Sequence, residues 1–523
     1  MGQRTAIEGR GPVAVLLSPH PAVVAAARRA GARTVVVAPG PSVPSDREGA
    51  ERRVRTDWRD HHRLVGAVGR LEAVRDGRAA VFGFDAAGAL AAARANEELG
   101  LPGTPAAAVT ALMDKAALRA RSNTLHAARP VSFARCGRAS LIPFITTLIG
   151  YPCVIKPRAG SDGEGVRLVR DAAEGEAAAR HYPAVTDLLV EEYLEGPELA
   201  VETLSRAGRH HILDWSRRLP APAAPLGPTP HPAPAYGPAP AYGFGSGPAY
   251  GFGSGPGYGF GSGPGYGFGS GPGYGPGPGP GDGPGAGSGY GPEYGSGYRP
   301  GPGGGPGCRP GPGSASGQGT PVDLGAARGY EVPVALDHAT AAAVRALVRG
   351  VLDLVGHRDG ASHTEVVLTA HGPRLIEAHA RPGPEELTQL LRLAHGTDVL
   401  GLALAAGLGL PARLRRPHAT YAALRYVDFP PGTRVERTGP ALAAARAVPG
   451  VVRVRLAVPP GATVRRAPTG SLHHAHVLAT APTAHSLTRV LDRAAALLGQ
   501  PGGLTPDSRG IHVPPSPWRD GPH

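Results

Sequence analysis

Three features of the chain predict a protein of mixed α/β and α+β class. Short apolar runs alternate with Ala-rich stretches at the N-terminus, which is the pattern of a parallel, helix-covered sheet. Strands bearing charged ends then surround glycine-rich loops, and short strands return near the C-terminus. At 523 residues the chain exceeds one core, and its length predicts about three domains.

The N-terminal strands are read at Val13 to Leu17, Thr34 to Ala38 and Ala79 to Phe84, with a helix from Ala22 to Ala30. No GxGxxG follows the first strand, so dinucleotide binding has no support there. Leu101-Pro102-Gly103 marks a boundary. A helix is expected next, with Met113, Ala117 and Ala120 on its buried face and Asp114-Lys115 at its centre. An apolar strand ends in Lys156, a glycine-rich loop follows, and a second strand runs into Leu188 to Tyr193. Further on, an amphipathic helix spans Thr340 to Leu354 and another runs through Leu387 to Leu393. Beyond Pro411, strands are read at Thr420 to Tyr426, Val451 to Leu456 and Ala475 to Thr480, then a closing helix at Ser486 to Leu498.

Between about Pro220 and Thr320 the composition changes. The 79 Gly and 58 Pro of the chain are concentrated there, in a segment too poor in apolar side chains to fold. An octapeptide, [AG]YGFGSGP, repeats from Ala241 through Pro272. The period is too short and too rich in glycine for a solenoid, and regular Tyr and Phe in such a background favour weak self-association. The insert separates His211–Asp214 from Tyr330–Pro333, which read as neighbours in one domain, and a long loop there costs only slowly growing entropy.

The formal charge of +13 comes mainly from scattered Arg. No basic run interleaved with aromatics points to nucleic acid, so anionic small molecules are the expected partners. Cys136, Cys153 and Cys308 share no metal-like spacing and leave one unpaired, as in a reducing compartment. No signal peptide stands out and no apolar run reaches the ~20 residues of a membrane span, so a cytoplasmic protein without membrane contact is expected.

The chemistry concentrates in HTEVVLTAHGPRLIEAHAR, His363 to Arg381, read as two strands joined at His371-Gly372-Pro373. Glu377, His379 and Arg381 alternate onto one face. A three-residue loop would set Glu365 opposite His379 on that face, with Val366, Leu368, Ile376 and Ala378 on the other; a two-residue loop would invert Glu365. Such a surface holds two carboxylates for a hard cation, an imidazole and a guanidinium. In YPCVIKPRAGSDGEGVRLV, Lys156 supplies a point charge, and Gly160, Gly163 and Gly165 allow close approach of backbone N–H groups to phosphate. It is not a P-loop. LLVEEYLEGPE ends a strand with acids whose edge can read a nucleoside through the backbone of Glu192 and Leu194 and the carboxylate of Glu198.

Taken together, Asp114-Lys115, Ile155-Lys156-Pro157, the VEEYLEGPE block, H-x-E and GPRLIEAxAR resemble the ATP-grasp superfamily over roughly Leu101 to Leu410. Within it the pattern is most similar to carboxylate–amine ligases, including L-amino acid ligases. The resemblance implies an N-terminal parallel-sheet domain (1–105), an ATP-grasp domain (106–410) of two α+β subdomains clamping ATP, and a small C-terminal α+β domain on the substrate side (411–500). A disordered insert (220–325) and a disordered tail (501–523) complete the expected organisation. It further implies that Lys115 and Lys156 contact phosphates under a closing loop that includes Gly160, Ser161, Gly163 and Gly165. Glu191, Glu192, Leu194 and Glu198 would hold the nucleoside. Glu365 and Glu377, with His379, would bind Mg²⁺ or Mn²⁺, and Arg381 would steady the acyl phosphate and tetrahedral intermediate.

The implied substrates are ATP, a small carboxylate and an amine, and a homodimer is expected by family analogy alone. Three departures stand out. His379 occupies the place of the usual Asn, Asp162 and Glu164 put acids in the glycine loop, and Pro384-Glu385-Glu386 replaces a glycine-rich continuation. They leave two hypotheses open: an active ligase, or a degenerate ATP-binding protein that assembles through its insert.

Overall fold

The computed structural model describes residues 11–40, 50–126, 129–160, 163, 165–219, 329–411, 420–429, 432–435, 439–459, 461–464 and 474–498. The repeat-bearing insert, Cys308 and the Pro-rich tail therefore lie outside the described residues.

The N-terminal elements run β1 (Val13–Leu17), α1 (Pro21–Arg29), β2 (Arg33–Ala38), β3 (Arg52–Arg55), α2 (His61–Val68), α3 (Glu72–Arg75), β4 (Ala79–Phe82) and α4 (Ala86–Glu98). The four strands pair in parallel in the order β3-β2-β1-β4. Every residue of β1 is buried, because helices cover both faces. The short β3, Arg-Arg-Val-Arg, has no apolar run and is the element that the sequence reading passes over. At the opposite edge, β4 would present unpaired backbone groups. The buried amide of Asn96 takes both: it accepts from Val81 N–H at 2.8 Å and donates to Val81 C=O at 2.9 Å.

Next come α5 (Ala106–Met113), α6 (Lys115–Ser122), β5 (Phe133–Arg138), α7 (Ile142–Ile149), β6 (Cys153–Pro157), β7 (Arg167–Val169), α8 (Ala172–His181) and β8 (Val185–Glu192). The single helix expected around Asp114-Lys115 is in fact two. Asp114 is extended (φ −90°, ψ 94°) and caps α6, accepting from Ala116 N–H and Ala117 N–H at 3.1 Å each. The break changes the buried face to Ala116, Leu118, Arg119 and Ser122, leaving Ala117 half-buried and Ala120 exposed. β5-β8-β6-β7 form a small antiparallel sheet over a core of Cys136, Ile142, Cys153, Ile155 and Val190.

The remaining elements are β9 (Glu198–Arg206), β10 (Arg209–Leu219), β11 (Gly329–Val332), α9 (His338–Leu354), β12 (Gly360–Thr369), β13 (Gly372–His379), α10 (Glu385–His395), α11 (Val399–Gly407), β14 (Tyr421–Val427), α12 (Pro440–Arg446), β15 (Val451–Leu456), β16 (Ala475–Ala481) and α13 (Ala484–Leu498). All eight strands join one antiparallel sheet in the order β13-β12-β9-β10-β11-β14-β16-β15. β10 and β11 pair directly, Arg218 opposite Tyr330 and Leu219 opposite Gly329, although the long insert separates them in sequence. The strands after Pro411 extend this sheet through the β11–β14 pairing. One face packs on α9, whose stripe Val344, Leu347, Val348, Val351 and Leu352 is buried against Leu199, Val201, Val366 and Leu375. α10 covers part of the other face through Leu387, Leu390 and Leu391, against Ala200, Leu424 and Leu478. Among the described residues no helix is long and apolar enough to cross a membrane.

Asn96→Ala strands two buried backbone groups at the sheet edge. It should lower stability by about 2–3 kcal/mol in urea unfolding, with little change in m.

Candidate functional site

The hairpin β12–β13 turns through Ala370-His371, a two-residue loop, rather than the three-residue loop expected from the sequence. Near the turn Thr369 opposes Gly372 and Val366 opposes Leu375. A bulge between Glu365 and Val366 then shifts the register, so that Glu365 lies opposite Glu377 and His363 opposite His379. The expected pairing of Glu365 with His379 is thereby corrected. The bulge undoes the inversion that a two-residue loop would impose. Leu375 is buried in the core beside Val366 and Ala378, while Ile376, expected there, is only half-buried.

Glu365, Glu377, His363 and His379 consequently share one face, and the two imidazole rings stack with centroids 6.2 Å apart and planes 13° off parallel. On the neighbouring strands the same face carries Glu202, opposite His363, and Glu198, opposite Arg218.

Two carboxylates at one buried spot repel, and each is held ionised by its own partner. His379 Nε2 lies 3.1 Å from Glu377 Oε1, and Lys115 Nζ lies 3.5 Å from Glu377 Oε2. Burial pushes the Glu377 carboxyl up. The hydrogen bond and charge of His379, then Lys115 and Lys156, outweigh it and hold the group well below the usual carboxylate range. Burial and the Glu377 charge likewise raise Glu365, and His363 and Arg218 bring it down. His363 is sandwiched, with Nδ1 2.6 Å from Glu202 Oε1 and Nε2 3.4 Å from Glu365 Oε1. With an acceptor on each nitrogen the ring is an imidazolium: burial opposes the charge, and Glu202 and Glu365 raise its pKa to about 10.

The small sheet faces this group with its own cations. Lys156, 6% exposed, pairs with Glu191, whose other oxygen accepts Arg119 Nε at 2.6 Å. Burial raises Glu191, but the charges of Arg119 and Lys156 and their hydrogen bonds bring its pKa down to about 2. Lys115, the first residue of α6, donates to Gly160 C=O and so links the glycine loop to the acidic face. Gly160, Gly163 and Gly165 all have positive φ (122°, 71° and 71°), which side-chain-bearing residues rarely adopt. Arg158 closes the loop's base, with Nε 2.8 Å from Asp114 Oδ1. The arrangement is a cationic lip facing an anionic floor, fit for a polyanion bridged by a divalent cation.

A family model for the ATP-grasp domain matches residues 137–221, and one for L-amino acid ligase C-terminal domain 2 matches residues 425–499. The two matched segments are thus like an ATP-grasp domain and like the C-terminal domain of L-amino acid ligases. A comparison with curated proteins finds no match. Among solved structures, the L-amino acid ligase of Bacillus licheniformis is 18% identical, with 95% of this chain and 98% of that one covered and a TM-score of 0.62. N5-carboxyaminoimidazole ribonucleotide synthetase of Thermus thermophilus is 14% identical over 93% and 98%, with a TM-score of 0.56. The biotin carboxylase domain of Hydrogenobacter thermophilus 2-oxoglutarate carboxylase, solved with MgADP, ADP and bicarbonate, is 15% identical over 92% and 89%, with a TM-score of 0.53. At these identities the likeness is one of fold.

Lys115, Lys156, Gly160, Gly163, Gly165, Glu365 and Glu377 converge, and Ser161 lies outside the described residues. Two acids differ from their expected use. Both oxygens of Glu191 are engaged by Arg119 and Lys156, and Glu198 Oε2 accepts Arg218 Nη1 at 2.5 Å. Glu192 N–H is taken by Ser132 C=O at 3.0 Å, whereas Leu194 lies half-buried in the connection to β9. Arg381 is not on the strand. β13 ends at His379, and Arg381 sits in the following bend with Nη1 donating to Pro382 C=O at 3.0 Å and a buried Nε without a partner. Among the described residues no group of three or more His, Cys, Asp or Glu side chains is set to hold a metal. His379 Nε2 is turned to Glu377 rather than to a shared centre, which leaves the two carboxylates as donors.

Sequence reasoning missed Glu202, His363, Arg119 and Arg218 as parts of this site. The available signal for Glu202 was an acid inside an otherwise uncharged strand segment, Leu199 to Leu204, and for Arg119 its position one helical turn after Lys115.

The depressed Glu191 pKa contributes stability that is complete above about pH 4.5 and is lost as pH falls toward about 2. Glu191→Gln should therefore show a shallower loss of stability than the parent between about pH 6 and about pH 3 in urea unfolding.

Proposed function

We propose that this protein is an ATP-dependent carboxylate–amine ligase acting on an amino acid or related carboxylate, with release of ADP and phosphate. The observation that carries the reading is the direct cross-strand opposition of Glu365 and Glu377, each charge-compensated, beside Lys115 and Lys156. Hard carboxylate oxygens in a pair, rather than a full protein cage, suit Mg²⁺, which takes its other ligands from phosphates and water. Bound there, the cation would neutralise charge on the triphosphate; Mn²⁺ fits the same donors.

A carboxylate is a poor acyl donor because oxide is a poor leaving group. Its oxygen attacks the γ-phosphorus, the bond to ADP breaks, and an acyl phosphate results. The amine nitrogen then attacks the acyl carbon, phosphate departs and the nitrogen loses a proton. Such transfers need positioning and charge neutralisation more than a protein nucleophile. In this reading Lys156, oriented by Glu191, and Lys115 hold phosphates beneath the glycine loop, and the nucleoside lies along the end of β8 near Glu192, Leu194 and Glu198. Arg381, with an unpartnered Nε, meets the charge that develops on the reacting acyl group. A homodimer remains part of the proposal on likeness to relatives only.

The test is phosphate release by purified protein given ATP, Mg²⁺ or Mn²⁺ and a panel of amino acids, with hydroxylamine to trap the acyl phosphate. Glu365→Ala and Glu377→Ala should each lower turnover at least about 100-fold, and Arg381→Ala about 10²–10³-fold. Nucleotide binding without turnover on any substrate pair would refute the ligase reading.

A further inference from the structure

Glu202 sits on β9 with no exposed surface, directly opposite His363 in the sheet. Its Oε1 faces His363 Nδ1 at 2.6 Å, and the other ring nitrogen faces Glu365. Both Glu202 oxygens also accept the N–H of Gly383, at 3.2 and 3.1 Å. Gly383 shares one peptide unit with Pro382, and the carbonyl of that unit is the group to which Arg381 Nη1 donates. One rigid amide plane therefore has Glu202 on its N–H end and the Arg381 guanidinium on its C=O end. Space at this point is tight. A Cβ at position 383 would run into Glu202 Oε1 and come 2.9 Å from His363 Nδ1.

We infer that Glu202 is a positioning residue that, through His363 on one side and the Pro382–Gly383 peptide on the other, fixes Arg381 relative to the Glu365–Glu377 carboxylate pair. This rests on the ligase reading above. A fully buried ion pair is a poor device for stability alone, since apolar side chains of similar volume usually serve as well. Here it joins two parts of the site that lie on different segments and must be held in mutual register. Gln at 202 keeps the size but replaces one acceptor oxygen with an NH₂, which cannot accept from Gly383.

The experiment is a cycle of Glu202→Gln and Arg381→Ala, with Gly383→Ala as a second route that displaces the peptide without altering any charge. Glu202→Gln and Gly383→Ala should each lower kcat about 100-fold, the effect of a misplaced group. ATP affinity by calorimetry, measured where each variant is folded, should stay close to the parent's, while the melting temperature of Glu202→Gln falls because His363 loses its buried partner. In the Arg381→Ala background, Glu202→Gln should cause no more than about a twofold further loss, because its effect passes through Arg381. Undiminished kcat in Glu202→Gln, or losses that multiply in the double variant, would overturn the inference while leaving the ligase reading intact. So would a fall of kcat in step with ATP affinity in the folded variants. If Arg381→Ala alone leaves turnover unchanged, it is the ligase role of Arg381 that fails, and the inference with it.

Discussion

Keeping two half-buried carboxylates ionised side by side is the constraint around which this face of the large sheet is organised. Glu365 and Glu377 face each other across one strand pair, where side chains approach within about 4.5–5.5 Å and like charges destabilise. Without compensation one of them would take up a proton. The protein supplies the compensation locally: His379 and Lys115 for Glu377, His363 and Arg218 for Glu365. Each of those groups belongs to a different element, so the charge arrangement depends on three strands of the large sheet and on α6 together.

The same logic runs outward. His363 can carry charge in the interior because Glu202 is beneath it, and Lys156 can be buried because Glu191 shares it with Arg119. Acid and base alternate from Glu365 and Glu377 through His363 to Glu202, and from Lys156 through Glu191 to Arg119. Such networks are costly to half-complete, since removing one member leaves another charge uncompensated. The cap formed by Asp114 serves the same end by backbone means. It interrupts what would be one helix, turns Lys115 to the head of α6 and anchors Arg158 at the base of the glycine loop.

The eight-stranded sheet explains why a long insertion is compatible with this site. β10 and β11 are paired edge to edge, so the chain leaves the sheet at Leu219 and re-enters opposite it at Gly329. The pairing of β10 with β11 is thus kept across the insertion, and the ladder between them is unbroken.

Local pattern was enough to read much of the architecture. Short apolar runs gave β1, β2 and β4, amphipathic periodicity gave α9, and the change to short strands after Pro411 gave β14 to β16 and the closing α13; linked motifs gave the ATP-grasp fold. These are properties of neighbouring residues, set by the periods of helix and strand. Which charges meet was not legible in the same way. Whether Glu365 opposes Glu377 or His379 turns on one bulge, and whether Glu191 is free or spent turns on Arg119, 72 positions away in sequence. Glu202 and Gly383 meet across 181 positions. The sequence by itself determined the residue types and the strands and helices that carry them. Tertiary structure alone decided their pairing, because electrostatic partners are chosen by distance in space, and one extra residue in a strand is enough to change the choice.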